Sequence, residues 1–133
     1  GLLLKAQLDD AGIEFRITMK SRKGNLIGDE KLLNQVMINL IVNAIDAVRG
    51  LKHGKIEISV SDNARGDHVI GVTDNGKGIP GDEIEKIFIP FYTTKENGSG
   101  IGLSLSRNIM RLHKGSIAAY SIPGERTTFV LNF

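Results

Sequence analysis

Cysteine and tryptophan are absent from the 133 residues, and only three prolines are present. Without cysteine there is no disulfide and no thiolate metal site, which fits a reducing compartment. Aromatic residues are sparse, five Phe and two Tyr, and the basic residues are scattered, leaving a formal net charge of +2. Neither the basic stripe nor the stacking surface of a nucleic-acid binder is there. No apolar run approaches the roughly 20 residues of a membrane span, and no signal peptide shows at the start. A cytoplasmic location without direct membrane contact is the expectation. A hydrophobic share of 41% and a charged share of 24% are ordinary for a globular protein. The length is one domain's worth, so residues 1–133 are expected to form a single domain, with 1–10 a remnant of a connection to another. Glycine is the one plentiful outlier, 16 residues with many in two clusters. Such clusters mark turns or places where backbone must approach a ligand.

The longest uninterrupted stretch runs from Asp29 to Arg49, with neither Gly nor Pro inside it. Asp29 is placed to cap a helix and Gly50 to stop it. At about 100° per residue, Leu33, Met37, Leu40, Ala44, Ala47 and Leu51 gather on one face, the expected core stripe. Ile38, Val42 and Ile45 form a second apolar strip, expected to lie under a neighbouring helix, the alternative being a docking surface. Asn39, Asn43 and Asp46 line up beside the core stripe at i, i+4 and i+7. Asparagine competes for the backbone and is a mediocre helix former. Two of them at the rim of a core are either solvated polar residues or amide oxygens aimed at a metal or polar ligand.

Before and after this helix the sequence alternates. Ile13, Phe15, Ile17 and Met19 alternate with polar residues, as in a half-buried strand, and Leu26-Ile27 is a short strand. Ile56, Ile58 and Val60 alternate in another, and Val69–Thr73 makes a third, with Asn63–Asp67 as the hairpin between them. That third strand runs straight into Asp74-Asn75-Gly76-Lys77-Gly78-Ile79, placing a carboxylate beside bare backbone, although such a turn is also common between two elements. Pro80–Lys86 is expected to be a short helix and Ile87–Tyr92 an apolar plug. Thr93–Gly100 is a loop long enough to act as a lid. Gly98-Ser99-Gly100-Ile101-Gly102-Leu103 opens a second helix reaching about His113, with Gly115 at its C-cap. A glycine loop feeding a helix N-terminus suits an anion, but no strand precedes it, so it is not a dinucleotide fingerprint. Ser116–Ser121 and Thr127–Phe133 close the chain as two strands around Pro123-Gly124-Glu125.

Four stretches, in this order, resemble the ATP-binding catalytic domain of sensor histidine kinases, in the superfamily of gyrase, heat-shock chaperones, histidine kinases and MutL. N-L-I-V-N-A is similar to the family's N box, D-N-G-K-G to its G1 box, F-I-P-F-Y to its F box and G-S-G-I-G-L to its G2 box. The resemblance implies an α+β fold, a two-layer α/β sandwich of the Bergerat type with a mixed, mostly antiparallel sheet and helices on one face. It implies Mg2+ and ATP as cofactors. Asp74 would accept a hydrogen bond from the adenine amino group, with Thr127 sharing the network through water. Gly76 and Gly78 would leave room for the base, and Ala47 and Ile79 would wall it. Asn43 would hold magnesium through its amide oxygen, with Asn39 as a second possible ligand. Gly98, Ser99, Gly100, Ile101, Gly102 and Leu103 would receive the phosphates. Thr94 and Lys95 would reach them from the lid, though Lys95 is equally a solvated lid residue. Tyr92 would cover the nucleotide, while Phe88 and Phe91 would anchor the lid in the core. Asp46 stands where many sensor kinases carry lysine, and Arg126 where the family often has glycine.

The position of Asn39 separates the branches. In the ATP-hydrolysing members the corresponding residue is a glutamate acting as general base, and an amide accepts no proton at neutral pH. The resemblance therefore implies transfer of the γ-phosphate to a histidine on a separate dimerisation and phosphotransfer domain of the same parent, with a response regulator downstream. His53, His68 and His113 lie in no phosphoacceptor-like context and are expected to be structural or surface residues. The rivals are a gyrase- or MutL-like ATPase, and an ATP-binding serine kinase or non-catalytic regulator. Asn39→Glu is expected to raise steady ATP hydrolysis, measured as released phosphate; unchanged turnover would tell against this account of the asparagine.

Overall fold

The structure is a computed structural model and describes residues 12–19, 29–92 and 101–133. Its elements are β1 (Glu14–Met19), α1 (Glu30–Val48), β2 (Lys55–Asp62), β3 (His68–Asp74), α2 (Gly102–Leu112), β4 (Ser116–Ile122) and β5 (Arg126–Asn132). The five strands form one sheet in the order β1-β2-β3-β5-β4. The β1–β2 pair is parallel because α1 carries the chain back across the sheet between them, and the other three pairs are antiparallel. Both helices pack on one side, giving the expected two-layer α/β sandwich with a mixed sheet. The short strand expected at Leu26-Ile27 lies outside the described residues.

Alternation along each strand and the registers between strands set the inner face in rows. One row reads Met19, Val60, Ile70, Leu131, Ile117; the next reads Ile17, Ile58, Val72, Phe129, Ala119. From β2 to β4 these rows are the floor of the core, and α1 and α2 are its roof.

Asp29 caps α1 as expected, its Oδ1 accepting from the N–H groups of Lys31 (3.0 Å) and Leu32 (3.2 Å). Gly50, at φ +88°, ends the helix. The buried arc of α1 is Val36, Leu40, Ile41, Ala44, Ile45 and Val48, rotated from the expected stripe: Leu33, Met37 and Ala47 are only half-buried and Leu51 is exposed beyond the helix end. The cause is that α1 lies against β2, β3 and α2 together, which takes nearly half its circumference. Ile45 belongs to that core, but Ile38 (48%) and Val42 (44%) are exposed, and among the described residues no helix covers them as expected. By length and hydropathy α1 would pass for a membrane span; here the buried part of its apolar surface is the inside of the core.

Pro80–Lys86 is not a helix. Hydrogen bonds recur only at every third residue, Glu83 N–H to Pro80 O, Lys86 to Glu83, Ile89 to Lys86 and Tyr92 to Ile89, all 2.9–3.1 Å. Gly81 weakens helix here and Pro90 has no N–H to extend one, so the segment is a string of turns. Phe88 is buried, edge-on to Phe129 at 6.4 Å with the Arg107 guanidinium 5.5 Å from its ring centre. Phe91, expected as a second anchor, is 74% exposed at φ +68°, because the turn at Pro90 swings it out of the core.

The two helices run antiparallel, joined at one end by His113. Its Nδ1 donates to Ile109 O (2.8 Å), which leaves Nε2 to accept from the N–H of Asp29 (2.9 Å). At the end of α2 the left-handed residue is Lys114 (φ +60°), not the expected Gly115. Lys114 N–H bonds Arg111 O (3.0 Å) and Gly115 N–H bonds Met110 O (2.8 Å), a Schellman ending shifted by one residue. Gly115 is needed because a Cβ there would collide with the Asn132 carbonyl. Gly115→Ala should therefore lower stability by about 1–3 kcal/mol in urea unfolding. Gly81→Ala, where a Cβ meets nothing within 4 Å, should not. Lys114→Gly should raise stability by about 1 kcal/mol by relieving the left-handed backbone.

Candidate functional site

A third row of the inner face breaks the apolar pattern. It begins Phe15, Ile56 and then turns polar, Asp74, Thr127, Ser121. Asp74, at the end of β3, is only 3% exposed, and Thr127 is also buried. A carboxylate taken out of water needs hydrogen-bond donors. Here the chain folds back so that the Gly76 N–H reaches Asp74 Oδ1 at 2.8 Å. Ser121 Oγ lies 3.1 Å from Thr127 Oγ1 and 3.0 Å from Arg126 O, and accepts from the Ile79 N–H at 2.7 Å. The row is thus a hydrogen-bonded strip at the end of an otherwise greasy floor.

The loop after β3 is pinned on three sides. Asn75 accepts from Lys55 N–H (2.7 Å) and donates to His53 O (2.8 Å), fixing the loop to the start of β2. Gly76 lies directly on the last turns of α1: a Cβ there would be 2.5 Å from Ala47 O. That contact brings Ala47 beside Asp74. Gly78, at φ +79°, lies against the β4–β5 turn, where a Cβ would be 2.8 Å from Ile122 O and from Pro123 Cα, and Gly124 N–H bonds Lys77 O at 2.6 Å. Within the chain, both glycines are required by backbone packed on backbone. Ile79 is half-buried against the core.

Of the polar stripe of α1, Asn39 faces α2. Asn39 Nδ2 donates to Gly102 O and to Ser106 Oγ, both at 3.2 Å, and its Oδ1 accepts from Gln35 Nε2 at 2.9 Å. Asn43 is half-buried one turn on, and Asp46 pairs with Arg49 at 3.5 Å, an exposed pair worth little. Leu103 is partly buried against the core and Ile101 is exposed. Tyr92 is half-buried. Desolvation first, then the charge of Glu83 and the hydrogen bond to it, then Asp82, push its phenol above the ordinary 10.0, so at neutral pH it is a neutral donor.

Of the residues expected at the site, Ala47, Asp74, Gly76 and Thr127 come together at one end, and Asn39 and Gly102 meet between the helices. Thr94, Lys95, Gly98, Ser99 and Gly100 lie outside the described residues. No group of three or more His, Cys, Asp or Glu able to hold a metal exists among the described residues. The hard amide oxygens of the α1 stripe suit magnesium, which takes few protein ligands and keeps water and phosphate oxygens. The three histidines are structural or surface residues, as expected: His68 is buried 3.2 Å from Asp62, and His53 is exposed. Sequence reading missed Ser121, Ser106 and Gln35. Counting back across the closing hairpin would have found the first, and the i+4 and i−4 spacings from Gly102 and Asn39 the other two. The engagement of Asn39 also changes what Asn39→Glu measures, since glutamate loses both donors to α2, so hydrolysis must be read beside a melting curve.

Residues 28–133 match the family described as histidine kinase-, DNA gyrase B- and HSP90-like ATPase. The sensor histidine kinase ZraS of Escherichia coli O157:H7 is 40% identical over 119 residues, 90% of this chain and 25% of that protein. The signal transduction histidine-protein kinase AtoS of Escherichia coli K12 is 38% identical over 125 residues, 91% of this chain and 20% of that protein. The chain thus spans a quarter or less of the length of those kinases. The nucleotide-free catalytic domain of the histidine kinase ThkA superimposes with a TM-score of 0.87 at 32% identity, covering 99% of this chain and 85% of that one. Its polar row, its glycine-packed loop and its paired helices therefore belong to a member of the histidine kinase-, DNA gyrase B- and HSP90-like ATPase family, of the histidine kinase catalytic-domain kind.

Proposed function

We propose that this domain binds Mg-ATP over the polar row and donates the γ-phosphate to a histidine on a separate dimerisation and phosphotransfer domain of the same parent protein. The observation that carries this is Asp74, a buried carboxylate in a row that the sheet would otherwise fill with apolar side chains. An acceptor of that kind selects an amino group at the edge of a flat base, and Ala47 and Ile79 supply apolar surface on either side. Asn43 would hold the magnesium ion, whose share is to neutralise charge on the phosphates. The end of α2 at Gly102 would take the phosphate chain together with Ile101 and Leu103.

Asn39 bears on the choice of acceptor. Its carboxamide accepts no proton, so no general base stands at this position to activate water. What remains is positioning and charge neutralisation, which suits transfer to an imidazole that is itself a nucleophile. The resemblance to ZraS and AtoS supports the same choice, and with it our reading of a response regulator downstream and a cytoplasmic domain. Residues 1–133 would act as one catalytic unit of that parent.

Calorimetry with a non-hydrolysable ATP analogue tests the pocket. Asp74→Asn should weaken binding by about 10- to 100-fold, the loss of one hydrogen bond to a charged group. Binding unaffected by that change would remove adenine recognition from Asp74. Asn43→Ala should reduce the gain in affinity that magnesium brings while leaving magnesium-free binding near wild type. Incubation with labelled ATP and histidine-bearing helical domains should give acid-labile label on histidine. Free phosphate alone would point instead to a hydrolase.

A further inference from the structure

We infer that Asn39 and Ser106 are a positioning pair that fixes the first turn of α2, and that Asn39 serves the phosphate end of the site through that turn rather than as a metal ligand. The inference rests on the nucleotide site proposed above. A carboxamide has two N–H donors and two acceptor lone pairs. In Asn39 both donors are committed, to Gly102 O and Ser106 Oγ, and one lone pair is taken by Gln35. A backbone carbonyl can only accept, so the contact with Gly102 O fixes which way the amide points. Ser106 is fully buried, at 0% exposure, and its hydroxyl donates to the same Gly102 O at 2.8 Å. Two side chains from two helices thus close a ring on one carbonyl.

That carbonyl belongs to the first residue of α2. The helix has Ile101 at its N-cap, with no side-chain capping bond. An uncapped start frays readily, because its N–H groups have no partner within the chain. Here the turn is held from the side by Asn39, and the Ile101 N-cap adds no side-chain bond of its own. The contact is hydrogen bonding and not crowding: a Cβ on Gly102 would sit an ordinary 3.7 Å from Asn39 Cγ.

Two substitutions separate positioning from metal ligation. Asn39→Asp keeps an oxygen and adds a charge that a divalent ion favours, but removes both donors and sets a carboxylate against Gly102 O. Ser106→Ala alters the ring without touching any oxygen a metal could reach. Hydrogen exchange on the nucleotide-free domain should show lost protection at the Leu105 and Ser106 amides, the first that the helix bonds, in both variants, with the sheet unchanged. Unaltered exchange there would overturn the clamp, whatever the domain binds. Calorimetry should show both variants weakening ADP about tenfold, with and without magnesium, while adenosine binds as to wild type. Tighter magnesium-dependent binding in Asn39→Asp, or wild-type ADP affinity in Ser106→Ala, would return Asn39 to the metal. Wild type taking up neither adenosine nor ADP would refute the nucleotide site and with it the use of the clamp, while the exchange result would still judge the clamp itself.

Discussion

A buried carboxylate must be solvated by the protein that buries it, and the position of Asp74 imposes that demand on everything nearby. The strand ends where its side chain faces inward, so the backbone has to turn sharply enough to bring the Gly76 N–H onto it. That turn succeeds only without side chains, since Gly76 presses on α1 and Gly78 on the closing hairpin. The row beside it becomes hydroxyl-bearing, Thr127 then Ser121, because apolar neighbours would leave the acid short of polar company. One inward acid thus accounts for two glycines, two hydroxyls and the route of the loop.

The helices answer a different constraint. Packed antiparallel on the sheet, they are tied by polar contacts near both ends: His113 to the Asp29 backbone at one, Asn39 to Gly102 and Ser106 at the other. Apolar packing sets their distance, but hydrophobic burial is itself non-directional. Directional bonds select one register. Asn39 contributes to that register from a position where a better helix former would gain only local propensity.

Much of this was legible before any coordinates. Strand alternation from β2 to β5, the Asp29 cap and the glycine stop at Gly50 are local signals, and they held, whereas Ile17 and Met19 on the edge strand β1 are exposed. The Asp74 loop was legible only beside the three other stretches, since a D-N-G turn alone is common between two elements. What failed did so where tertiary neighbours decide. The core face of α1 is set by three packing partners at once, so Val36, Ile41 and Val48 entered the core while Leu51 did not. Phe88 and Phe91 look alike in sequence, yet a turn at Pro90 buries one and exposes the other. Lys114 took the conformation glycine was expected to take, because Gly115 was needed for a close approach to β5 that no local pattern reports.

The sheet order β1-β2-β3-β5-β4 puts the last strand of the described chain in the interior, between β3 and β4. Thr127 and the turn that holds Gly78 both belong to this closing hairpin. A ribosome making the chain would therefore release Asp74 some fifty residues before the strand that completes its surroundings. Until β5 slides into place, β3 offers an open edge and the acid has half its walls. Within this domain, the surroundings of Asp74 are completed by the closing hairpin, together with the closure of the sheet.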